Sequence, residues 1–404
     1  MISVEQALEA VFALVDTLPP ETVDLAQAAG RVLAAPVEAR RAQPPFASSA
    51  MDGYAVRNAE VAAGARFDVI GEAAAGHAFA GPVGPGQAVR IFTGAPVPEG
   101  ADRILIQEDV DRDETGHHTR ITLRDGFDTA TYLRPAGGDF DIGARIEAPR
   151  RLSATDLALI AAMNHPTVQV ARRPQVALIA TGDELVMPGE SPSPDQIIAS
   201  NTFGLKALLE AEGATARMLP IARDNRASLE MAFKLARGAD LVVTIGGASV
   251  GDHDLVGRVA GEQGMEQSFY KVAMRPGKPL MAGRLAGAPM IGLPGNPVSS
   301  MVCGLVFLLP VIRAMQGLPR RPLDRQLMAL SAPLSANGGR EHYMRAALNH
   351  DGPDSAPAVA ALDRQDSNLL SVLARSDALI VRPVGDPARA VGDLVPVIAP
   401  AALR

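Results

Sequence analysis

The sequence is poor in cysteine and in aromatic side chains, and both shortages exclude classes of structure. A single cysteine, Cys303, can form neither a disulfide within the chain nor a thiolate zinc site. Tryptophan is absent and aromatic residues make up only 4% of the chain, so the core must be built from aliphatic side chains. Because Cys303 lies in an apolar run, we expect it to be a buried thiol.

Basic charge and long apolar runs are also scarce. The net charge of −7 argues against a nucleic-acid partner, since binding to phosphates needs a basic surface. The first residues show no basic region followed by an apolar core, so no secretory signal is expected. The longest apolar run, from Val298 to Ile312, is too short for a bilayer and predicts a buried helix. We therefore expect a cytoplasmic protein without membrane contact.

Helical periodicity brackets a glycine-rich block in the first part of the chain. Residues 3–16 predict an amphipathic helix capped by Ser3, a short helix is predicted from Leu25 to Ala34, and residues 153–165 predict a helix capped by Ser153. Between them, residues 46–140 carry short strand-like runs separated by turn residues. This order predicts a discontinuous helical domain, residues 1–45 and 141–173, that is interrupted by an inserted β domain, residues 46–140.

Strands and helices alternate in the second part of the chain. Strands are predicted at residues 176–180, 216–221 and 241–244, with helices at residues 202–212 and 228–237 between them. Such alternation is typical of parallel βαβ units, so residues 174–320 predict an α/β domain. Short strands broken by proline and glycine then predict a small β domain over residues 321–404.

The strand predicted at residues 241–244 leads into the richest candidate site. It is followed by Gly246 and Gly247, which allow main-chain N–H groups to approach an anion, and by Ser249, whose hydroxyl adds a donor. Asp252 and Asp254 then supply carboxylates. A plain glycine turn explains the same residues equally well.

Further carboxylates follow the other strands of the predicted sheet. Asp183 and Glu184 follow the first strand, and Asp224 follows the second. Carboxylates at the ends of parallel strands can converge on one crevice, where they repel one another or hold a divalent cation. Because all these ligands are oxygen atoms, Glu184, Asp224 and Asp254 predict a Mg²⁺ site rather than a zinc site. The same carboxylates could instead be helix caps or solvated groups.

Cationic and turn residues come next along the chain. Lys271, Arg275 and Lys278 would suit a phosphate or another oxyanion, or they are a solvated basic loop. Asn296 follows Pro294-Gly295 and precedes an apolar helix, where it predicts an N-cap and an anion site.

The inserted β domain contributes turns with polar side chains. Asp52 lies in an Asp-Gly turn, Thr93 precedes Gly94, and residues 134–139 run from Arg134 to Asp139. A plain turn without a further role explains each of these segments as well.

Taken together, the sequence resembles the molybdopterin molybdenumtransferases, a MoeA-like family that is also similar to the C-terminal domain of gephyrin. The matching segments occur in the family's order along the whole chain, and as an ordered set they are highly specific. They are Ser49-Ala50-Met51-Asp52-Gly53-Tyr54-Ala55, Thr93-Gly94-Ala95-Pro96-Val97-Pro98, Thr181-Gly182-Asp183-Glu184-Leu185, Gly246-Gly247-Ala248-Ser249-Val250-Gly251, Pro276-Gly277-Lys278-Pro279 and Leu293-Pro294-Gly295-Asn296-Pro297-Val298-Ser299.

The resemblance implies an architecture and a reaction. It implies a molybdopterin-binding α/β domain, the discontinuous helical domain with its inserted β domain, and a C-terminal β-barrel. It also implies a homodimer whose cleft lies between the α/β domain of one subunit and the β domain of the other. Adenylylated molybdopterin and molybdate would react in the presence of Mg²⁺ to give molybdenum cofactor and AMP. The molybdopterin adenylyltransferase would be a contact partner.

The resemblance also implies roles for individual residues. The catalytic candidates are Asp52, Thr93, Asp139, Glu184, Asp224 and Asp254, of which the last three are also the metal candidates. The substrate-binding candidates are Arg134, Gly246, Gly247, Ser249, Lys271, Arg275, Lys278, Pro294, Gly295, Asn296, Arg345 and Ser367.

Three positions depart from the family pattern. Ile245 stands where Ser or Thr is usual, Arg275 replaces a common Lys, and Gly138 replaces a frequent acidic residue. These departures put the affinity for the substrates in doubt more than the type of reaction. They also leave open that the protein is a paralogue that prefers tungstate. The same residues would also suit a pterin-binding carrier or scaffold without catalysis, or a Mg²⁺-dependent nucleotide hydrolase.

Overall fold

Six strands form the central sheet of the α/β region. The computed structural model describes residues 1–247, 255–349 and 356–399. The strands lie in the order Thr215–Met218, Gln175–Ala180, Leu241–Ile245, Ala288–Leu293, Pro279–Leu285 and Glu266–Lys271. The first four are parallel, as predicted, whereas the last two run antiparallel to their neighbours. The three strands predicted from the sequence lie in the parallel part, whereas the antiparallel strands at this side were not predicted and follow short connections of the chain.

Alternate residues of the central strands pack on opposite faces of this sheet. On one face, Leu241 and Val243 join the cluster that holds the helices Val4–Ala13, Asn201–Ala211 and the segment Pro297–Met315. On the other face, Val242 joins the cluster that holds the helices Arg226–Ala236 and Leu255–Glu262. Since successive side chains of a strand point to opposite faces, both faces of the sheet are covered by helices.

The N-terminal helix and the apolar helix confirm two of the sequence predictions. Ser3 and Gln6 form a reciprocal capping box at the start of Val4–Ala13. The segment Pro297–Met315 is built of Pro297–Cys303, a π-helical turn Gly304–Leu308 and Leu309–Met315. At 19 residues it could cross a membrane by length and composition, which corrects the expectation that it is too short, but 89% of it is buried within the protein. Cys303 is buried here, and burial raises the pKa of its thiol.

The C-terminal region forms a second sheet. Its neighbouring strands are Met274–Arg275, Glu341–Asn349, Ala378–Arg382, Leu394–Ile398 and Gln326–Ala329, and Ala358–Ala361 also pairs with Glu341–Asn349. A bridge between Leu330 and Val359 joins the chain beyond Gln326–Ala329 to Ala358–Ala361. The C-terminal region also contains the short helix Leu370–Leu373. Earlier in the chain, between strands of the central sheet, Leu185–Val186 and Ile197–Ile198 form a separate parallel pair.

Residue contacts divide the chain into two compact units. All the elements above belong to the first unit, Met1–Glu21, Gly30–Ala34 and Val170–Arg404, and the second unit is Thr22–Ala29 and Ala35–Gln169. The predicted helix from Leu25 to Ala34 is wrong, because only a 3-10 turn Leu25–Gln27 forms before the strand Val32–Leu33. The remaining strands near the unit boundaries are Pro20–Asp24 and Thr167–Ala171.

The second unit is built around a six-stranded sheet. Its strands lie in the order Arg103–Ile106, Gly53–Val56, Gln87–Ile91, Arg66–Ala73, His118–Leu123 and Val110–Thr115, with buried clusters formed from alternating side chains. Strand pairs Ser48–Ser49 with Leu133–Arg134 and Val37–Glu38 with Arg145–Ile146 form separate small ladders. The other elements are the strand Arg150–Arg151, the 3-10 turns Asn58–Glu60 and Gln107–Asp109, and the helix Ala154–Ala162, which Ser153 caps as predicted.

Candidate functional site

Three loops meet at the carboxyl edge of the central sheet. Ala180 lies beside Ile245, and Ile245 lies beside Leu293, so the three parallel strands end level with one another. The backbones that follow are tightly packed: a Cβ on Gly246 would lie 2.6 Å from the Thr181 carbonyl oxygen, and one on Gly295 would lie 3.5 Å from the Gly246 Cα. Gly246 also has a φ of +93°, which side chains rarely adopt. Only glycine can therefore occupy position 246.

A cavity of about 560 Å³ opens beside these loops, and we call it the large cavity. Four predicted substrate or catalytic residues line it: Glu184, Pro294, Gly295 and Asn296. Thr181, Leu185, Pro279 and Pro297 also line it; they belong to the matching segments but had been given no role, and Ile245 had been noted only as a departure from the family pattern. The remaining lining residues carry no motif in the sequence and were not predicted; they are Ala180, Ile197, Ile198, Ala199, Ser200, Asn201, Thr202 and Asn368. The cavity therefore combines an apolar wall with hydroxyl, amide and carboxylate groups.

Asp224 is engaged in a contact between two loops. Its carboxylate accepts a hydrogen bond from the Asp183 N–H at 3.4 Å, and its own N–H donates to the Asp183 carboxylate at 3.0 Å. Glu184 lines the large cavity but Asp224 does not. This corrects the expectation that both acids converge on one crevice, because the Asp224 carboxylate is turned to the backbone of the neighbouring loop.

A second cavity, of about 330 Å³, is lined by three cationic side chains, and we call it the cationic pocket. Arg275 and Lys278 are there as predicted, and Arg340 joins them from the C-terminal region. The other lining residues are Pro276, Gly277, Pro279, Asn296, Ser299, Gln365, Asp366 and Ser367. Arg340 carries no motif signal in the sequence, so only the folded chain reveals it.

Lys271 lies outside this pocket. Its ammonium group is 5.4 Å from the centre of the Tyr270 ring, at the end of the strand Glu266–Lys271. This corrects the expectation that Lys271 would join Arg275 and Lys278, because Lys271 ends a strand of the central sheet whereas Arg275 belongs to a strand of the C-terminal sheet.

Arg345 is fully buried, and it contacts the backbone of Asp366, which lines the cationic pocket. One Nη donates to the carbonyl oxygens of Arg364 at 3.2 Å and Asp366 at 3.1 Å, whereas Nε and the other Nη have no partner. Burial, together with the nearby Arg275, lowers its pKa, although Asp366 opposes this effect. A buried guanidinium with free donors is costly unless an anion completes it.

His342 adds a second buried group to this region. It pairs with Arg275 across the parallel strands Met274–Arg275 and Glu341–Asn349. Burial, and then the charges of Arg275, Arg345, Arg382 and Arg340, lower the pKa of His342 to about 4. Its ring is therefore neutral at physiological pH.

Asn296 and Pro279 line both cavities. The Asn296 Nδ2 donates to the Ser367 Oγ at 3.0 Å, and the Val298 N–H donates to the Ser367 carbonyl oxygen at 3.0 Å. Asn296 is the N-cap residue of Pro297–Cys303 as predicted, but its side chain makes no capping hydrogen bond. The side chain instead links the two cavities to the C-terminal region.

The second unit holds the remaining described candidates. Asp52 accepts hydrogen bonds from the N–H and the hydroxyl of Thr93, both at 2.8 Å, and the backbone bond followed by the hydroxyl bond lowers the Asp52 pKa. Arg134 pairs with Ser48 across two strands, and the Asp139 N–H donates to the Gln43 carbonyl oxygen at 2.9 Å. Arg134 and Asp139 are exposed.

Ser249 and Asp254, together with Asp252, lie outside the described residues. Within the ranges that the structure describes, no three histidine, cysteine or acidic side chains come close enough to hold a metal ion. Glu184 and Asp224 alone are therefore too few donors for the predicted Mg²⁺ site.

Comparisons with known proteins agree with this arrangement along the whole chain. Residues 2–164 match the MoeA N-terminal region (domain I and II), residues 177–314 a probable molybdopterin binding domain, and residues 328–399 the MoeA C-terminal region (domain IV). A molybdopterin molybdenumtransferase from Nostoc is 35% identical over 96% of this chain and 91% of its own length. A molybdopterin molybdenumtransferase 2 from Mycobacterium tuberculosis is also 35% identical, over 95% of this chain and 96% of its own length.

The chain belongs to the MoeA family.

Solved MoeA structures have the same fold. A molybdopterin biosynthesis MoeA protein from Pyrococcus horikoshii is similar with a TM-score of 0.79 and 27% identity, covering 98% of both chains. A second structure from the same organism gives a TM-score of 0.81 at 23% identity, with 98% of this chain and 99% of that chain covered. The multidomain α/β plus β class predicted from the sequence is therefore confirmed.

Proposed function

We propose that the protein is a transferase that inserts molybdenum into adenylylated molybdopterin, giving molybdenum cofactor and AMP. The observation that carries this proposal is the pair of neighbouring cavities that share Asn296 and Pro279. The reaction joins a large heterocyclic substrate to a small oxyanion; the large cavity matches the first reactant in size, and the cationic pocket matches the second in charge.

The large cavity would take the adenylylated pterin. Its apolar wall, which includes Ile197 and Ile198, suits a flat heterocycle, and Thr181 and Asn201 offer hydrogen-bonding groups. The turn at Gly246 and Gly247, together with Ser249, would hold a phosphate through main-chain N–H groups, and Pro294, Gly295 and Asn296 would complete the wall.

The cationic pocket would take molybdate. Molybdate is a tetrahedral dianion, and Arg275, Lys278 and Arg340 supply positive charge around a cavity that fits a small anion. The two free donors of Arg345 would supply further hydrogen bonds from behind, and the Ser367 hydroxyl lies on the wall. Lys271, a predicted contributor, would act only at longer range.

Acid groups are needed because the oxo ligands of molybdate must be protonated as sulfur replaces them. Glu184 lines the large cavity and is our first candidate for this proton transfer. Asp224 would hold the neighbouring loop, and Asp52, Thr93, Arg134 and Asp139 would act from the second unit of a partner subunit.

We also propose that Mg²⁺ accompanies the reaction, with Glu184 or Asp224 and Asp254 as protein ligands and substrate phosphates as the remainder. The support is chemical: release of AMP from a phosphoanhydride needs neutralisation of phosphate charge. The described donors are too few to hold the ion alone, so no role beyond charge neutralisation is assigned to it.

We further propose the finer architecture that the family resemblance implies. This is a cytoplasmic homodimer with a discontinuous helical domain, an inserted β domain, the α/β domain and a C-terminal β-barrel. The bridge between Leu330 and Val359 supports closure of the C-terminal sheet, because it links two strands that are otherwise separated in the strand order. The acidic net charge supports partners other than nucleic acid, and contact with the adenylyltransferase that makes the substrate completes this proposal.

The decisive experiment incubates the purified protein with adenylylated molybdopterin, molybdate and Mg²⁺, and measures AMP release and active cofactor. Both products should form, and Glu184→Gln should slow the formation of both by about a hundredfold or more. The matched control is Glu190→Gln, because Glu190 belongs to the same exposed segment but accepts only the Met187 N–H. Absence of both products with the wild-type protein would reject the proposal.

The same experiment distinguishes the enzyme from a carrier and from a hydrolase. A pterin carrier would bind the substrate without turnover, and Glu184→Gln would leave its function intact. A nucleotide hydrolase would release AMP from substrates without the pterin. Replacement of molybdate by tungstate tests the paralogue that prefers tungstate.

A further inference from the structure

Arg223 connects the two loops that follow neighbouring strands of the central sheet. One of its Nη atoms donates to the carbonyl oxygens of Asp183 and Leu185, both at 3.0 Å, and makes a longer contact of 3.5 Å with that of Gly182. The Arg223 N–H in turn donates to the Ser228 hydroxyl at 2.9 Å, at the start of the helix Arg226–Ala236. The backbone of Arg223 is therefore held at the start of a helix, and its guanidinium contacts the backbone on both sides of residue 184.

The backbone of Glu184 is held from the other side as well. Its carbonyl oxygen accepts the Ile197 N–H at 2.8 Å, and the reciprocal bonds between Asp183 and Asp224 tie the same loops together. The Glu184 carboxylate folds back over Gly182, where a Cβ would lie 2.7 Å from its Cδ. The side chain of Glu184 lies on the wall of the large cavity.

We propose that Arg223 is a positioning residue that fixes Glu184 for proton transfer; this inference rests on the proposed function. A general acid must be held within hydrogen-bond reach of the atom that it protonates, so a shift of its backbone by about 1 Å lowers the rate strongly. Arg223 does not line the large cavity, and it acts by fixing the segment Gly182–Leu185.

Arginine is suited to this role because its donors are planar and preorganised. Lysine would preserve the positive charge, but its ammonium is more strongly hydrated and lacks the two N–H directions that the planar guanidinium fixes on the Nη atom in contact with the loop. Arg223→Lys therefore changes the hold on the loop while the net charge of the site stays the same.

The test compares the wild-type protein with Arg223→Lys, Arg223→Gln, Glu184→Gln and the double variant Arg223→Lys/Glu184→Gln. Arg226→Lys is the matched control, since Arg226 is three residues away but pairs with Glu230 and Glu262 on the exposed side of its helix. The measurements are kcat and KM for cofactor formation, and thermal unfolding establishes that each variant is folded.

We expect Arg223→Lys and Arg223→Gln to lower kcat by about tenfold or more, with KM for the pterin substrate within about twofold of wild type. In the Glu184→Gln background, Arg223→Lys should have less than about a twofold effect, because the group that it positions is gone. Arg226→Lys should keep wild-type kcat. Wild-type kcat in both folded Arg223 variants, or full multiplication of the two effects in the double variant, would overturn the inference, whereas an inactive wild-type protein would reject the proposed function itself.

Discussion

At the scale of single residues, two buried arginines on neighbouring strands show how differently a buried charge can be satisfied. Arg382 pairs with Asp386 and donates to the carbonyl oxygens of Ser335 and Pro387. Arg345 has no carboxylate partner, and two of its three nitrogens have no hydrogen-bond partner. Because both side chains are almost fully buried, the difference points to an anionic ligand for Arg345 and to a structural role for Arg382.

This contrast predicts the effect of Arg345→Met. Loss of hydrogen bonds from a charged group, worth about 1.5–3 kcal/mol, should weaken molybdate binding by about tenfold to a hundredfold. Stability should change little, because removal of an incompletely paired buried charge offsets the lost contacts. Calorimetric titration with molybdate provides the measurement, and Arg375→Met, at an exposed position, is the control. Unchanged affinity would contradict the assignment of Arg345 to the anion.

His342 predicts a pH dependence of stability. Its pKa is about 4 in the folded protein, below the ordinary value of 6.5, so the unfolded chain binds the proton more tightly. The contribution of His342 is therefore complete above pH 6.5 and is lost as the pH falls from 6.5 towards 4. The thermal unfolding temperature of the wild-type protein should fall more steeply over this interval than that of His342→Gln. Equal slopes for the two proteins would show that His342 is not buried in its neutral form.

At the scale of elements, the turn that carries Lys278 is held against the apolar helix. Gly277 has a φ of +109°, and a Cβ there would overlap the Cys303 sulfur and lie 3.1 Å from the Met274 sulfur. The geometry of the cationic pocket thus depends on a close contact with the interior of the helix Pro297–Cys303.

Gly277→Ala should therefore lower the free energy of unfolding more than replacement of a glycine in open space. Gly287→Ala is the matched control, because Gly287 also has a positive φ, +86°, but has open space around its Cα. Both variants bear the strain of the left-handed backbone, and Gly277→Ala should lose about 1–3 kcal/mol more through overpacking. Urea unfolding measures the difference, and Cys303→Ala should restore part of the loss. Equal destabilisation of the two glycine variants would contradict the packing described for this turn.

The elements that the sequence predicted well have local signals. Ser3 and Ser153 were predicted as caps, and both helices begin directly after them; reciprocal capping bonds with Gln6 and Asp156 are present in the structure. The strand predicted at residues 241–244 also forms, as Leu241–Ile245. The prediction for the segment from Leu25 to Ala34 was wrong because its helical pattern is overridden: Val32–Leu33 pairs with a strand far along the chain.

The site was predictable only where motifs carry it. Glycine and proline turns at the strand ends identified the large cavity, because strand ends on a parallel sheet converge by topology. Arg340 and Asn368 were missed because they reach the cavities from the C-terminal region, and no local pattern marks such long-range neighbours. Asp224 was misjudged because its spacing reveals the loop but not the partner, Asp183, that its carboxylate contacts.

At the scale of the whole molecule, the candidate residues are divided between the two compact units. Asp52, Thr93, Arg134 and Asp139 belong to one unit, and both cavities belong to the other. The proposed dimer would unite residues of the two units from different subunits.

A mixing experiment tests this composite site. Asp52→Ala and Glu184→Ala should each be inactive as pure proteins. After unfolding and refolding of an equal mixture, about half of the dimers should be mixed, and each of these holds one intact site, so about a quarter of the wild-type activity should return. The control mixes each variant with itself. No recovery in dimers of confirmed mixed composition would show that each subunit forms its site alone.

The shared wall at Asn296 has a thermodynamic consequence for how the two reactants are bound. If molybdate draws the Asn296 amide away from Ser367, it alters the surface that the pterin meets. Linkage then requires reciprocity: whatever factor molybdate applies to the pterin's dissociation constant, the pterin applies to that of molybdate. Through one amide side chain, binding in the large cavity and binding in the cationic pocket would thus depend on each other.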